Sequence, residues 1–140
     1  MTLRTFAAAS VPLTLALAFG APRAGAATVV LRPLADRPLS AVTRGCVQAD
    51  APAAITSAFF RVPEIARGMH ASGESLVRIE LDATGAVRNA SMQRSSGNPW
   101  LDLAAIDSAN LSRYRAEVRN CSATGGEYLV AVDVTEDDVR

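Results

Sequence analysis

From Ser75 to Asp82 the chain alternates, with Val77, Ile79 and Leu81 on one side and Arg78, Glu80 and Asp82 on the other. A period of two puts every second side chain on the same face, so the stretch predicts a half-buried strand. Ala83-Thr84-Gly85 makes a tight connection, and Val87 to Gln93 returns as the second strand of a hairpin. Its phase slips, because Val87 is out of step with Ala90 and Met92, and a bulge somewhere in the pair would restore it. Alternation resumes over Glu127 to Val134: Tyr128, Val130, Val132 and Val134 face one way, Leu129, Ala131 and Asp133 the other. Gly125-Gly126 release the chain into this last strand. Between the hairpin and the last strand the period changes. Trp100, Leu103, Ala104 and Leu111 fall on one side at helical spacing, which predicts an amphipathic helix over Leu101 to Leu111.

The earlier part of the chain is less regular. Ala27 to Asp50 carries Pro33 and Pro38 and reads as a lead-in with a brief strand at Thr28 to Leu31. The Ala-rich stretch Pro52 to Phe60 suits a short helix. Pro63 to His70 suits another, since a proline in the first turn loses no hydrogen bond, and Gly73 ends that stretch.

The segment RSSGNPWLDLAAI, residues 94–106, concentrates polar groups between hairpin and helix. Asn98 has the side chain of an N-cap, Pro99 suits the first helical position, and Asp102 lies where the helix dipole favours a negative charge. A nucleophile reading would need Ser96, His70 and Asp102 to meet. Nothing in the sequence brings the lone histidine to this loop, and a triad is recognised by geometry, not by composition. The segment therefore reads as a structural joint, and no catalytic residue is assigned.

Composition narrows the field further. The formal net charge is zero, so no nucleic-acid surface is expected, and all 14 basic residues are arginine. Arg113, Arg115 and Arg119 read as a solvated face. With one histidine and two distant cysteines there is no metal-ligand set, and no phosphate-cradling glycine loop is present, so no cofactor and no small-molecule substrate are expected. The start of the chain sets the compartment. Arg4, an apolar run from Phe6 to Phe19 and the small residues Ala24-Gly25-Ala26 have the form of a cleaved secretory signal ending at Ala26. The run is shorter than the ~20 residues that cross a bilayer; a retained inner-membrane anchor is the alternative. Cleavage leaves about 114 residues, one domain's worth. In an oxidising compartment Cys46 and Cys121 are expected to form one disulfide, with two buried free thiols as the alternative.

These motifs together resemble the C-terminal domain of TonB-family energy transducers. Pro63, Ala66, Gly68 and Gly73 precede the first strand, and Asp82, Gly85 and Val87 match its Asp-x-x-Gly-x-Val turn. Ser95, Ser96 and Gly97, followed by Leu101, Asp102, Ala104 and Ala105, match a Ser-Ser-Gly loop before a Leu-Asp-x-Ala-Ala helix start. Tyr114, Glu117, Asn120, Cys121, Gly126 and Tyr128 are similar to a cysteine-containing periplasmic branch. Val62 stands where the family commonly has an aromatic residue, and Ala116 where it commonly has proline. A full transducer also has an uncleaved anchor and a long Pro-rich span, and neither is the expectation here, so the resemblance implies the fold more than the energy-coupling role.

The resemblance implies an α+β fold: a small three-stranded antiparallel sheet with two helices packed on one face. The domain would span residues 51–136, after a signal at 1–26 and a lead-in at 27–50, with an acidic tail at 137–140. It also implies a partner, an extended N-terminal peptide of an outer-membrane receptor or another periplasmic protein, paired along the last strand. The site would be the edge formed by Gly126, Glu127, Tyr128, Leu129, Val130, Ala131 and Val132, where backbone groups give affinity and alternate side chains give selectivity. The alternatives are an anchored energy transducer and a purely structural or dimerising domain.

Overall fold

The computed structural model describes residues 27–34, 45 and 49–139. In chain order the elements are β1 (Thr28–Pro33), β2 (Ala54–Ser57), α1 (Glu64–Gly68), β3 (Gly73–Leu81), β4 (Val87–Arg94), α2 (Pro99–Leu111), β5 (Arg113–Arg115), β6 (Glu117–Arg119), β7 (Ser122–Thr124) and β8 (Gly126–Val134). A 3-10 turn, Glu136–Val139, follows. The expected signal at 1–26 and Cys46 lie outside the described residues. No helix among the described residues is long and apolar enough to cross a membrane.

The α+β class holds, but the main sheet has four strands where three were expected. All pairs are antiparallel and the order is β1-β8-β3-β4. The added strand is β1, from the stretch read mainly as lead-in. β8 is therefore internal in the sheet and not its edge.

The hairpin has the expected inward face. Val77, Ile79 and Leu81 of β3 are buried, and so are Tyr128, Val130, Val132 and Val134 of β8. Burying such aliphatic side chains contributes about 1.5–3 kcal/mol each. The phase slip in β4 is resolved by irregularities at both ends of its pairing with β3. Leu81 pairs Val87 and Glu80 pairs Asn89, so Arg88 is skipped; Val77 pairs Met92 and Leu76 pairs Arg94, so Gln93 is skipped. Val87, Ala90 and Met92 all come to oppose buried residues of β3 and pack on the core.

Both helices contribute to the same core: Ala66 of α1, and Leu101, Ala105 and Ala109 of α2. The inward face of α2 is not the one expected. Trp100, Leu103 and Leu111 are exposed, whereas Leu101, Ala105, Ser108 and Ala109 are buried. Apart from Leu101 the inner face carries small side chains, which let the helix approach the sheet closely, and Trp100, Leu103 and Leu111 are left outside. The Ala-rich stretch read as a helix is instead β2, paired with β5 through Ala54↔Arg115 and Ile55↔Tyr114. Alanine's helix preference of a few tenths of a kcal/mol per residue is a weak prior that tertiary pairing overrides. The acidic end is also not a free tail: Val139 is buried in the core, and the buried Asp138 accepts hydrogen bonds from the Thr135 amide (2.7 Å) and hydroxyl (2.8 Å).

Candidate functional site

β8 has two ladders. On one flank it pairs β3 continuously, from Gly73↔Val134 to Leu81↔Gly126. On the other it pairs β1, from Thr28↔Asp133 to Pro33↔Tyr128. The pleat sends Tyr128, Val130 and Val132 into the core, while Glu127 lies on the outer face, where it meets Arg78 at 2.6 Å. Leu129 is half-buried and Ala131 buried. The Tyr128 hydroxyl donates to Glu117 Oε2 at 3.2 Å. The backbone ladder between β8 and β1 is of the kind that strand addition uses.

The sequence placed Gly126 to Val132 as an open edge, and the chain itself fills that edge from Tyr128 onward. β1 lays Val29 and Leu31, both half-buried, against the core. On the outer face Arg32 Nη2 reaches Glu74 Oε1 of β3 at 3.2 Å. Thr28, Val30, Arg32 and Pro33 are exposed, so no residue of β1 is fully buried.

The joint between β4 and α2 is built around one carboxylate. Asp102 Oδ1 accepts from the Ser75 hydroxyl (2.8 Å), the Ser96 amide (2.8 Å) and the Ser96 hydroxyl (2.8 Å), and Oδ2 accepts from the Ser95 hydroxyl. Burial pushes this carboxyl up, but the hydrogen bonds from Ser95, Ser96 and Ser75 outweigh it and hold it below its usual range. Asn98 is the N-cap of α2, its Oδ1 accepting from the amides of Trp100 (3.0 Å) and Leu101 (3.3 Å), with Pro99 at the first helical position. Gly97 has φ +92, a conformation that side chains other than glycine disfavour. Gly73, at φ +147, lies so close to this joint that a Cβ there would sit 2.9 Å from the Ser96 carbonyl oxygen. The hydroxyls of Ser95 and Ser96 thus point at an acceptor that orients the loop on β3 and α2.

The other motif residues have structural work of the same kind. Pro63 is the N-cap residue of α1, in extended conformation, and its carbonyl accepts from the Arg67 amide at 3.0 Å. In the β3–β4 turn that contains Gly85, Asp82 Oδ1 accepts from the Thr84 amide (2.8 Å), the Thr84 hydroxyl (2.5 Å) and the Ala86 amide (3.0 Å). These bonds, the Thr84 hydroxyl's above all, and the nearby Arg88 bring its pKa down to about 2. Leu101 and Ala105 are core residues, and Ala104 is half-buried beside them. Val62 and Ala116, the departures from the family pattern, are both buried, so smaller side chains fill those places.

Sequence reasoning missed Ser75, Ser108 and Ser112. Ser75 shares the inward phase of Val77, Ile79 and Leu81, and a polar group at an inward position signals a buried partner, here Asp102. Ser108 and Ser112 lie one turn apart on the inner side of α2's end. Ser108 donates to the Phe59 carbonyl, and Ser112 accepts from the Phe59 amide at 2.9 Å, which fixes the segment after β2. The buried Tyr114 hydroxyl donates to the Ala109 carbonyl at 2.8 Å, and burial pushes its pKa up to about 12. The small β6–β7 hairpin was also missed; Asn120 (φ +48) and Cys121 (φ +66) form its turn.

Among the described residues no group of three or more His, Cys, Asp or Glu side chains could hold a metal ion, and no cysteine is a free thiol. No curated protein and no solved structure matches the chain. The family model of the Gram-negative bacterial TonB protein C-terminal matches residues 61–133, which take in α1, β3, β4, α2, β5 to β7 and nearly all of β8, and leave out β1 and β2. The chain belongs to the TonB C-terminal domain family.

Proposed function

We propose that this chain is a periplasmic peptide-binding module that pairs an extended segment of an outer-membrane transporter along β8. The observation that carries the reading is that the flank of β8 turned away from β3 accepts a strand: a six-residue antiparallel ladder already runs along it, formed by a segment outside the family-matched part. TonB C-terminal domains belong to outer-membrane transport in Gram-negative bacteria, which supports this partner class. The joint around Asp102 serves orientation and not catalysis, since its hydroxyls are bound to the carboxylate that ties loop, strand and helix together. A secreted form with a Cys46–Cys121 bridge fits the same compartment.

A structural role is the second reading, and one observation favours it: the β8 flank is already filled by β1. The two separate by cross-linking in the source bacterium with a photoreactive residue in place of Asp133, which is exposed on β8 opposite Thr28. The expected product joins this chain to the N-terminal segment of an outer-membrane transporter. Cross-links confined to the chain itself would overturn the binding reading in favour of the structural one.

A further inference from the structure

We infer that β1 is a built-in stand-in for the partner, so that the partner enters by exchanging with β1 and carries the same pattern: apolar side chains at the places of Val29 and Leu31, and a basic residue at that of Arg32. This rests on the strand-pairing function proposed above and specifies the chemistry of the ligand.

Three features of β1 support it. First, the family-matched part supplies β8, β3 and β4, in which β8 would be an edge, and β1 comes from outside that part. Second, β1 is lightly held. Its side chains are exposed or half-buried, in contrast to β3 and β8, whose inward residues are nearly all fully buried. A strand attached by its backbone ladder, two half-buried side chains and one exposed ion pair can be replaced by another strand that makes the same contacts, because each hydrogen bond lost is re-formed. Third, the places it fills are chemically distinct. Val29 lies opposite Val132 and Leu31 opposite Val130, both at the core face, so these positions select apolar side chains. Arg32 lies on the outer face and reaches Glu74, a carboxylate that Arg94 of β4 also approaches. A carboxylate there selects a basic residue and disfavours an acidic one. The register is antiparallel, so the basic residue follows the two apolar ones in the partner as it does in Val29-Val30-Leu31-Arg32.

The test uses the chain's own segment as the probe. A fluorescent peptide of residues 27–34 is titrated into the parent chain and into a V29D/L31D variant, with circular dichroism as the check on folding. The tethered strand competes at roughly millimolar effective concentration, so loosening it is expected to raise affinity for the free peptide by at least about tenfold. A peptide carrying Glu at the Arg32 position is expected to bind roughly two- to fivefold more weakly, the range of an exposed ion pair. The single variant R32E keeps both apolar contacts and is the milder form of the chain, with a smaller gain for the free peptide. A folded V29D/L31D chain that takes up the peptide no better than the parent would overturn the inference, as would an unfolded double variant together with an R32E chain showing no gain. Binding of the chain's own peptide without binding of transporter N-terminal peptides would instead count against the proposed partner class while supporting exchange at this edge.

Discussion

Replacing Asp102 with alanine removes the acceptor on which Ser75, Ser95 and Ser96 converge. The largest cost falls on Ser75, 2% exposed on the inward face of β3, whose hydroxyl is left without its acceptor. An unsatisfied buried group of this kind costs about 1–3 kcal/mol. The part-buried Ser96 amide adds a smaller loss, and the charge at the start of α2 a further ~0.3–1 kcal/mol. Ser95 is exposed and regains water, and Ser96 keeps its contact with the Asn98 carbonyl, so neither hydroxyl adds much. The total is about 3 kcal/mol, which lowers the melting temperature of a domain of this size by on the order of 12 °C. Urea and thermal unfolding followed by far-ultraviolet circular dichroism measure both. Ser75→Ala removes the donor together with its need and is expected to cost about 1 kcal/mol. The double variant should then cost less than the two singles added, with a coupling of about 1 kcal/mol or more. A loss below ~1 kcal/mol for Asp102→Ala, or additive singles, would refute the idea that this carboxylate organises the joint.

Leu101→Ala is expected to cost about 2–5 kcal/mol by cavity formation, and Leu103→Ala less than ~0.5 kcal/mol, since Leu101 is buried and Leu103 exposed; equal losses in urea unfolding would contradict the orientation of α2. Asp82 and Asp102 both have folded pKa values below their ordinary one, so their contribution is full above about pH 4 and is lost as pH falls through the folded values, about 2 for Asp82. Tyr114 is raised, so stability is expected to fall again between pH 10 and about 12, and a melting temperature flat from pH 5 down to 2 would contradict the acid-side assignment. Protein purified without reductant is expected to show no free thiol, and Cys46→Ala to cost about 2–5 kcal/mol; titration of two thiols in the native protein would disprove the Cys46–Cys121 pairing.

The features legible in the sequence are those fixed by local chemistry. The inward face of β3 follows from its alternation, and the start of α2 from Asn98-Pro99, because a cap and a proline act on the adjacent turn. The slip in β4 was visible as a break in period, though only the pairing with β3 shows that it is shared between Arg88 and Gln93. The face of α2 was not legible. Its apolar residues run almost all round, and the choice of inner face was made by the space above β3 and β4, which fits Ala105 and Ala109 and not Trp100 or Leu103. β1 was legible as a strand but not as a partner of β8, since that pairing joins residues a hundred positions apart. The open edge expected at Gly126 to Val132 failed for that reason: the strand forms over Gly126–Val134, and the neighbour along its flank was not foreseen.

The most direct measurement of edge pairing is hydrogen–deuterium exchange of the full chain with and without an N-terminal peptide of an outer-membrane transporter. On binding, the amides of 28–32 are expected to lose protection while those of 128–133 keep theirs, because β8 changes partner and is never left open. Binding that leaves the protection of 28–32 unchanged would contradict pairing at this edge.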